Sequence, residues 1–287
     1  MTWLAGLNHW ALPGTPVRDA ATLAHQAGFD ALELNLDEAG EVGLATTAAD
    51  ARALRATVEG AGLRVGGLST ALYWRVSPTA EDAATRARAR TIATRQLELA
   101  AELGAGAILV VPGVVGRAAG GPLARYDVAY ERAAEFLAAL APAAERAAVD
   151  LAIENVWNKF LLSPLEMRRL VDEVGSPRIG VYFDVGNILN IGYPEQWLAV
   201  LGHRVRRVHL KDFRREPPGF VNIGGGDVDW PAVGAALRDG GYDGTLTAEL
   251  TPTPAERADL ALYAARIARD VRAVMARMGA TTPTGAR

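Results

Sequence analysis

The chain contains no cysteine among its 287 residues. This absence excludes a disulfide-stapled scaffold, a thiolate nucleophile and a zinc site with cysteine ligands. Any bound metal ion must therefore be held by carboxylates and histidines, and the sequence has only four histidines.

The sequence also lacks an excess of positive charge. Its 30 lysines and arginines are balanced by 33 aspartates and glutamates, which gives a formal net charge of -3. A nucleic-acid binder needs a basic face to neutralise phosphates. We therefore expect no nucleic-acid partner.

Long apolar runs are missing as well, since none reaches the ~18 residues that a membrane-spanning helix needs. Residues 1–10 lack the basic start and apolar stretch of a signal peptide. These features predict a cytoplasmic protein with no membrane partner.

What the sequence does contain is an alternation of short apolar runs with longer stretches in which apolar residues recur every three or four positions. The two patterns predict strands and amphipathic helices, respectively. Strands are predicted over 3–7, 31–34, 64–68, 107–111, 150–153, 179–183, 205–210 and 245–248. The clearest helices are predicted over 79–103, 126–147, 164–174 and 254–278.

Eight strand–helix units over this length favour an α/β fold of the (β/α)8 TIM-barrel type over an open doubly wound sheet. We predict a single barrel domain over 1–278, followed by a frayed tail over 279–287. Within 180–214 the sixth unit has only a short predicted helix.

Four chemically useful side chains fall at the carboxyl ends of four consecutive predicted strands: Glu154, Asp184, His209 and Glu249. In a barrel these strand ends meet at the rim that carries the active site. Any one of these acids could simply cap a helix, and His209 could be a core histidine. Together, the three carboxylates beside an imidazole would repel one another and leave negative charge without a partner, unless a divalent cation bound to all four groups. The set suits Mn²⁺, Mg²⁺, Co²⁺ or Zn²⁺, and we expect no nucleotide or organic cofactor.

Several motifs resemble those of the sugar-phosphate isomerase/epimerase superfamily, the xylose-isomerase-like barrels that include ketose 3-epimerases and L-ribulose- or L-xylulose-5-phosphate 3-epimerases. The motifs are Ile153-Glu154-Asn155, Phe183-Asp184-Val185-Gly186-Asn187, Val208-His209-Leu210-Lys211-Asp212, the segment 224–230, the segment 241–244 and Glu249. The resemblance implies that Glu154, Asp184, His209 and Glu249 bind the metal ion. It also implies that Glu154 and Glu249 act as acid and base in epimerisation at C3 of a ketose or ketose phosphate, through a cis-enediolate.

Other residues are weaker candidates for contact with a sugar substrate. They are Glu33, His9, Ser69, Asn187, Lys211 and Arg214. Asn187 stands where relatives that act on free ketoses carry histidine. The segment 224–226 could bind phosphate before a helix, and it could equally be a tight turn.

Other functions stay open at this stage. An aldose–ketose isomerase, or an inosose isomerase or dehydratase, could use the same metal site. An AP endonuclease of the same barrel type needs more histidines and a basic groove. A non-catalytic accessory barrel subunit would not need the full set of four ligands. The amphipathic helix over 254–278 is compatible with a homo-oligomer.

Overall fold

The computed structural model of the protein describes residues 2–117, 121 and 123–280. Eight parallel strands close into a barrel in the order β1-β10-β7-β6-β5-β4-β3-β2. The barrel strands are β1 (Leu4–Asn8), β2 (Ala31–Leu36), β3 (Arg64–Thr70), β4 (Ala107–Val110), β5 (Asp150–Glu154), β6 (Ile179–Asp184), β7 (Val205–Leu210) and β10 (Thr245–Ala248). The predicted TIM barrel is confirmed, and every predicted strand overlaps a barrel strand.

Helices connect the strands and cover the outside of the barrel. They are α1 (Val17–Ala27), α2 (Ala48–Gly60), α3 (Ala83–Leu103), α4 (Tyr126–Ala147), α5 (Pro164–Val174), α6 (Val185–Ile188), α7 (Pro194–Leu201), α8 (Trp230–Asp239) and α9 (Leu260–Arg277). The predicted bounds of α4 and α5 agree with the structure. The prediction for the last helix was too long at its start, because the chain first makes a 3-10 turn over Glu256–Ala258 and α9 begins only after its capping residue Asp259.

Apolar side chains fill the space between strands and helices, as in any packed two-layer domain. Strand β4 is buried at all four of its positions, and β6 at all six. Burial on both faces explains why these strands read as nearly continuous apolar runs rather than as alternating ones. The large buried rings of Trp3, Phe136 and Trp230 belong to this core.

The region from β6 to the loop after β7 differs from the prediction in two features. The sixth unit has two helices, α6 and α7, in place of one short helix. After β7 the chain forms an antiparallel hairpin of β8 (Asp212–Arg215) and β9 (Pro218–Val221). This hairpin follows directly from a site-bearing strand, so it lies beside the rim of the barrel.

The buried carboxylate of Asp212 organises the loop that follows the hairpin. It accepts hydrogen bonds from the backbone N–H groups of Gly224 at 2.8 Å and of Gly226 at 3.0 Å. A side chain at 226 would collide with this carboxylate, so only glycine permits the close approach. These amides are therefore already bound to a carboxylate, which disfavours the use of the segment 224–226 for phosphate.

No helix within the described part of the chain is both long and apolar enough to cross a membrane. The predicted domain boundary at 278 stays a prediction. Most of the predicted tail, residues 281–287, lies outside the described residues.

Candidate metal centre at the barrel rim

The four predicted ligands meet at the carboxyl-terminal rim of the barrel. Parallel pairing places Asp184 of β6 beside His209 of β7, and His209 beside Thr247 of β10. Glu249 lies two residues beyond Thr247, and alternate residues of an extended chain share a face. Strand β5 brings Glu154 to the same place. Each of the four residues offers one ligand atom, and these atoms all lie within 4.8 Å of one another.

The imidazole of His209 lies at the centre of this cluster and is fully buried. Its Nδ1 atom is 3.3 Å from Glu154 Oε1 and 2.8 Å from Glu249 Oε2. Its Nε2 atom points the other way, toward Glu33 Oε1 at 2.9 Å. One ring nitrogen therefore faces the carboxylate cluster, and the other faces the barrel interior.

Lys211 places a positive charge against the same carboxylates. Its Nζ atom lies 3.0 Å from Asp184 Oδ2 and 2.7 Å from Glu249 Oε2. Neither contact is aligned as a hydrogen bond, and both oxygens are buried without a hydrogen-bond partner in the described residues. The carboxylates thus attract a cation without directional hydrogen bonds.

Burial and charge shift the pKa values of the cluster in different directions. Burial raises the pKa of Glu154 to about 7, and burial also raises the pKa of Asp184. Burial alone would raise the pKa of Glu249, but the charges of Lys211 and His209 outweigh it and hold this pKa well below its usual range. Burial alone would lower the pKa of His209, but the charges of Glu33 and Glu249 raise it well above the ordinary value.

This donor set fits a divalent cation. Three carboxylate oxygens and one imidazole nitrogen are ligands that Mn²⁺, Mg²⁺, Co²⁺ and Zn²⁺ accept. The two buried oxygens without hydrogen-bond partners, on Asp184 and Glu249, gain a partner if an ion binds. Four protein ligands also leave positions for substrate oxygens around Mg²⁺ or Mn²⁺, which prefer six ligands. The cluster therefore supports the predicted metal site.

Two cavities meet at the cluster and share Trp10, Lys211, Phe220 and Glu249 in their walls. One cavity, of about 530 Å³, is lined mainly by aromatic and apolar side chains, and its other polar residues are Thr70, Arg117, Glu154 and Asn187. The second, of about 510 Å³, extends toward Glu256, Tyr263 and Arg266. Each is large enough for a sugar-sized ligand.

Aromatic rings form one wall beside the cluster. Trp157 stacks on Phe220 with ring centroids 5.0 Å apart, and Phe213 meets both rings edge-on. Trp157 Nε1 also donates a hydrogen bond to the backbone oxygen of Asn187 at 2.9 Å. This wall offers a flat apolar surface opposite the polar metal ligands.

Two of the weaker substrate candidates, Lys211 and Asn187, lie in the cavity walls. The amide of Asn187 donates to the backbone oxygen of Asn155 at 3.0 Å, which helps to fix the loop after β6. Direct contact of either side chain with a substrate stays a prediction.

Four other candidates lie outside the two cavities at the cluster. His9 hydrogen-bonds with the Thr15 backbone oxygen at 3.0 Å, in a separate pocket. Ser69 is fully buried and accepts hydrogen bonds from two asparagines, Asn8 and Asn35. Arg214 is on the outer hairpin and donates to the Gly225 oxygen at 3.0 Å. Glu33 is fully buried beneath His209. These positions do not favour direct substrate contact, which for all four stays a prediction.

Sequence reasoning did not find three residues that the structure brings to the site. Phe220 lies on the hairpin that was not predicted, and Arg117 lies on the loop after β4. Tyr182 precedes Asp184 by two residues, and its ring lies 4.6 Å from that of His209. The sequence did contain a signal for Tyr182: residues two apart on a strand share a face, so Tyr182 is expected on the same face as Asp184.

A closed eight-stranded barrel with three carboxylates and one histidine clustered at its rim defines a class of TIM barrels whose rim can hold a metal ion. The chain belongs to the xylose isomerase-like TIM barrel family, whose model matches residues 21–271. This match confirms the predicted fold and superfamily.

Relatives and solved structures agree with this membership. The chain is 31% identical over 261 residues to SgbU of Escherichia coli (strain K12), provisionally named as an L-ribulose-5-phosphate 3-epimerase, with 85% of this chain and 87% of SgbU covered. It is 29% identical over 266 residues to L-ribulose-5-phosphate 3-epimerase UlaE of Salmonella paratyphi C (strain RKS4594), with 88% of each chain covered. The prediction of an isomerase-class enzyme is confirmed.

The fold also matches a crystal structure of D-psicose 3-epimerase determined in the presence of D-fructose. The TM-score is 0.81 at 17% identity, and the match covers 96% of this chain and 99% of that one. At this identity the likeness establishes the shared barrel alone.

Proposed function

We propose that this enzyme epimerises a ketose or ketose phosphate at C3, with one divalent metal ion held by Glu154, Asp184, His209 and Glu249. The observation that carries this proposal is the convergence of four ligand atoms within 4.8 Å of one another. The 3-epimerase names of the relatives, at about the same chain length, support C3 as the reacting carbon.

A bound divalent ion would supply Lewis-acid polarisation of the ketose oxygens and stabilise the negative charge that develops on them. The protein's own task is proton transfer. In this proposal one glutamate, as a carboxylate, takes the proton from C3 and leaves a planar cis-enediolate. The other glutamate, as a carboxylic acid, returns a proton to the opposite face of C3. The roles of Glu154 and Glu249 exchange in the reverse reaction.

The positions of the two glutamates support the assignment of one as the acid and the other as the base. In the closed barrel β7 and β6 separate the two strands that carry them, β10 and β5. Glu154 and Glu249 therefore reach the His209 side of the cluster from different strands, with His209 Nδ1 between them at 3.3 and 2.8 Å. A substrate bound at the cluster can meet one carboxyl group on each face.

The cavity walls bear on the choice between a free and a phosphorylated ketose. Lys211 is occupied by Asp184 and Glu249, and Arg266 is paired with Glu256 at 2.8 Å. Arg117 lines the aromatic cavity, and its guanidinium donates to the Trp74 backbone oxygen at 2.6 Å. Arg117 is therefore our choice for a phosphate contact, and the names of the sequence relatives favour a phosphorylated substrate.

Solvent exchange at C3 tests this function directly. A set of ketoses and ketose phosphates is incubated in deuterated buffer with each of Mn²⁺, Mg²⁺, Co²⁺ and Zn²⁺, and the products are read by NMR. The proposal expects metal-dependent deuterium at C3 and formation of the C3 epimer. Deuterium at C1 or C2 would show an aldose–ketose isomerase, and exchange that needs no metal would contradict the proposal.

A further inference from the structure

The metal-facing orientation of His209 depends on what its second ring nitrogen touches. Nε2 lies 2.9 Å from Glu33 Oε1 inside the barrel, whereas Nδ1 faces Glu154 and Glu249. An imidazole nitrogen binds a metal only when it carries no proton, so the tautomer decides which nitrogen can be the ligand. Glu33 is the group that contacts the nitrogen on the non-metal side.

Glu33 is itself held by hydrogen-bond donors. Asn8 Nδ2 donates to its Oε1 at 2.6 Å, and the hydroxyl of Tyr182 donates to its Oε2. The orientation of the Asn8 amide is fixed because its oxygen accepts the backbone N–H of Trp10 at 2.8 Å. Glu33 therefore receives donors on both oxygens, and its position in β2 leaves it fully shielded from solvent.

The barrel interior is shaped to admit this arrangement. Gly67 on β3 lies next to the Tyr182 hydroxyl, and a Cβ atom at 67 would be only 2.8 Å from that oxygen. A larger residue would push the hydroxyl away from Glu33. Tyr182, Glu33 and His209 thus form one buried chain of contacts that ends at the candidate metal centre.

We propose that Glu33 is a positioning residue for the metal centre, which keeps the proton of His209 on Nε2 and thereby makes Nδ1 the ligand atom. A carboxylate can only accept a hydrogen bond, so Nε2 must donate to it. Partners of this kind fix the tautomer and ring orientation of metal-bound histidines, and their loss typically weakens metal affinity by about 10–100-fold. The inference rests on the metal site of the proposed function.

Calorimetric titration of the metal-free protein with Mn²⁺, without substrate, tests this role. Glu33→Gln keeps the size of the side chain and removes its charge. We expect this variant to bind Mn²⁺ about 10–100-fold more weakly. Tyr182→Phe, which removes one donor to Glu33 and leaves the contact with His209, should show a smaller loss.

Tyr73→Phe is the matched control. Tyr73 is also a fully buried tyrosine, and its hydroxyl donates to Gln96 Oε1 at 2.8 Å, a contact separate from the metal centre. We expect this variant to bind Mn²⁺ as the wild type does. A loss of affinity equal to that of Tyr182→Phe would mean that any buried hydroxyl matters equally, and the specific role of Glu33 would be refuted.

The tautomer itself can be read by NMR of ¹⁵N-histidine-labelled protein loaded with diamagnetic Zn²⁺, since there are only four histidines. We expect His209 to be protonated at Nε2 and ligated through Nδ1. Ligation through Nε2, or wild-type Mn²⁺ affinity in Glu33→Gln, would overturn the inference. If the wild type binds Mn²⁺ in this way but exchanges no ketose, the proposed function fails and the role of Glu33 stands.

Discussion

Replacement of Glu249 by glutamine separates the acid/base function of this residue from its role in the structure. Glu249 Oε2 lies 2.7 Å from Lys211 Nζ and 2.8 Å from His209 Nδ1. Glutamine has the same size and can still offer an oxygen to a cation. It cannot take a proton from carbon or return one at neutral pH, so proton transfer on one face of the substrate is lost.

The expected magnitude follows from the role of a positioned proton-transfer group, which contributes ~10²–10⁴-fold to rate. At about 1.36 kcal/mol per tenfold change, the barrier rises by about 2.7–5.4 kcal/mol. The fold should persist because 16% of the Glu249 side chain is exposed at the rim and Lys211 keeps its contact with Asp184 at 3.0 Å.

The assay is kcat for C3 exchange, measured by NMR at metal concentrations that saturate the rate. Saturation prevents a weaker metal affinity from being mistaken for lost proton transfer. Glu102→Gln is a suitable control, since Glu102 pairs with Arg52 at 2.6 Å and lines neither of the two cavities at the cluster. We expect wild-type turnover in the control. Wild-type turnover in Glu249→Gln, with an unchanged unfolding temperature, would remove Glu249 from the acid/base pair.

Three further predictions address the substrate pocket and the stability of the barrel. Arg117→Gln should raise KM for a ketose phosphate by about 10–160-fold, since a charge-assisted hydrogen bond contributes about 1.5–3 kcal/mol. An equal effect on a free ketose would refute a phosphate contact. Phe220→Ala removes the exposed ring from the cavity wall and should raise KM by up to about tenfold, because a substrate that covers part of this ring removes apolar surface from water at about 25 cal/mol per Å². Little change in Tm is expected because Phe220 is 47% exposed, and an unchanged KM would exclude this ring from the binding wall. Asp172→Asn removes a two-point contact with Arg204, which holds the pKa of Asp172 below its usual value. A depressed carboxyl pKa stabilises the fold above pH ~4 and loses that contribution as the pH falls further, so the variant should melt below the wild type at pH 7 and approach it in acid; a Tm difference independent of pH would contradict this.

The barrel and its four candidate ligands could be predicted because their signals are local in sequence. Strands buried on both faces, such as β4 and β6, read as short apolar runs. The residues that follow parallel strands gather at one rim by topology alone. This rule and the chemistry of the side chains were enough to predict the four candidate ligands, Glu154, Asp184, His209 and Glu249.

The hairpin after β7 was missed because it lies outside the barrel repeat. Its strands are four residues each, and β9 begins at a proline and includes Gly219, which weakens any strand pattern. Phe220 consequently could not be placed in the pocket wall. The division of the sixth helix was missed for a related reason, since α6 is a single turn that begins at Val185, directly after its capping residue Asp184.

The environment of Glu33 could not be read from the sequence. Its partners Tyr182 and His209 are 149 and 176 positions away along the chain. A glutamate at the end of a strand has the same sequence signal whether it faces a substrate or the barrel interior. Only the tertiary structure shows that His209 and Tyr182 cover it.

Metal binding by the intact chain tests the central claim most directly. The wild-type protein and the variants Glu154→Gln and His209→Ala are freed of metal and titrated with Mn²⁺ by calorimetry, with unfolding temperature as a check on folding. The account predicts one ion per wild-type chain and a large loss of affinity in both folded variants. A wild-type chain that binds no divalent ion, or folded variants that bind as tightly as the wild type, would contradict it.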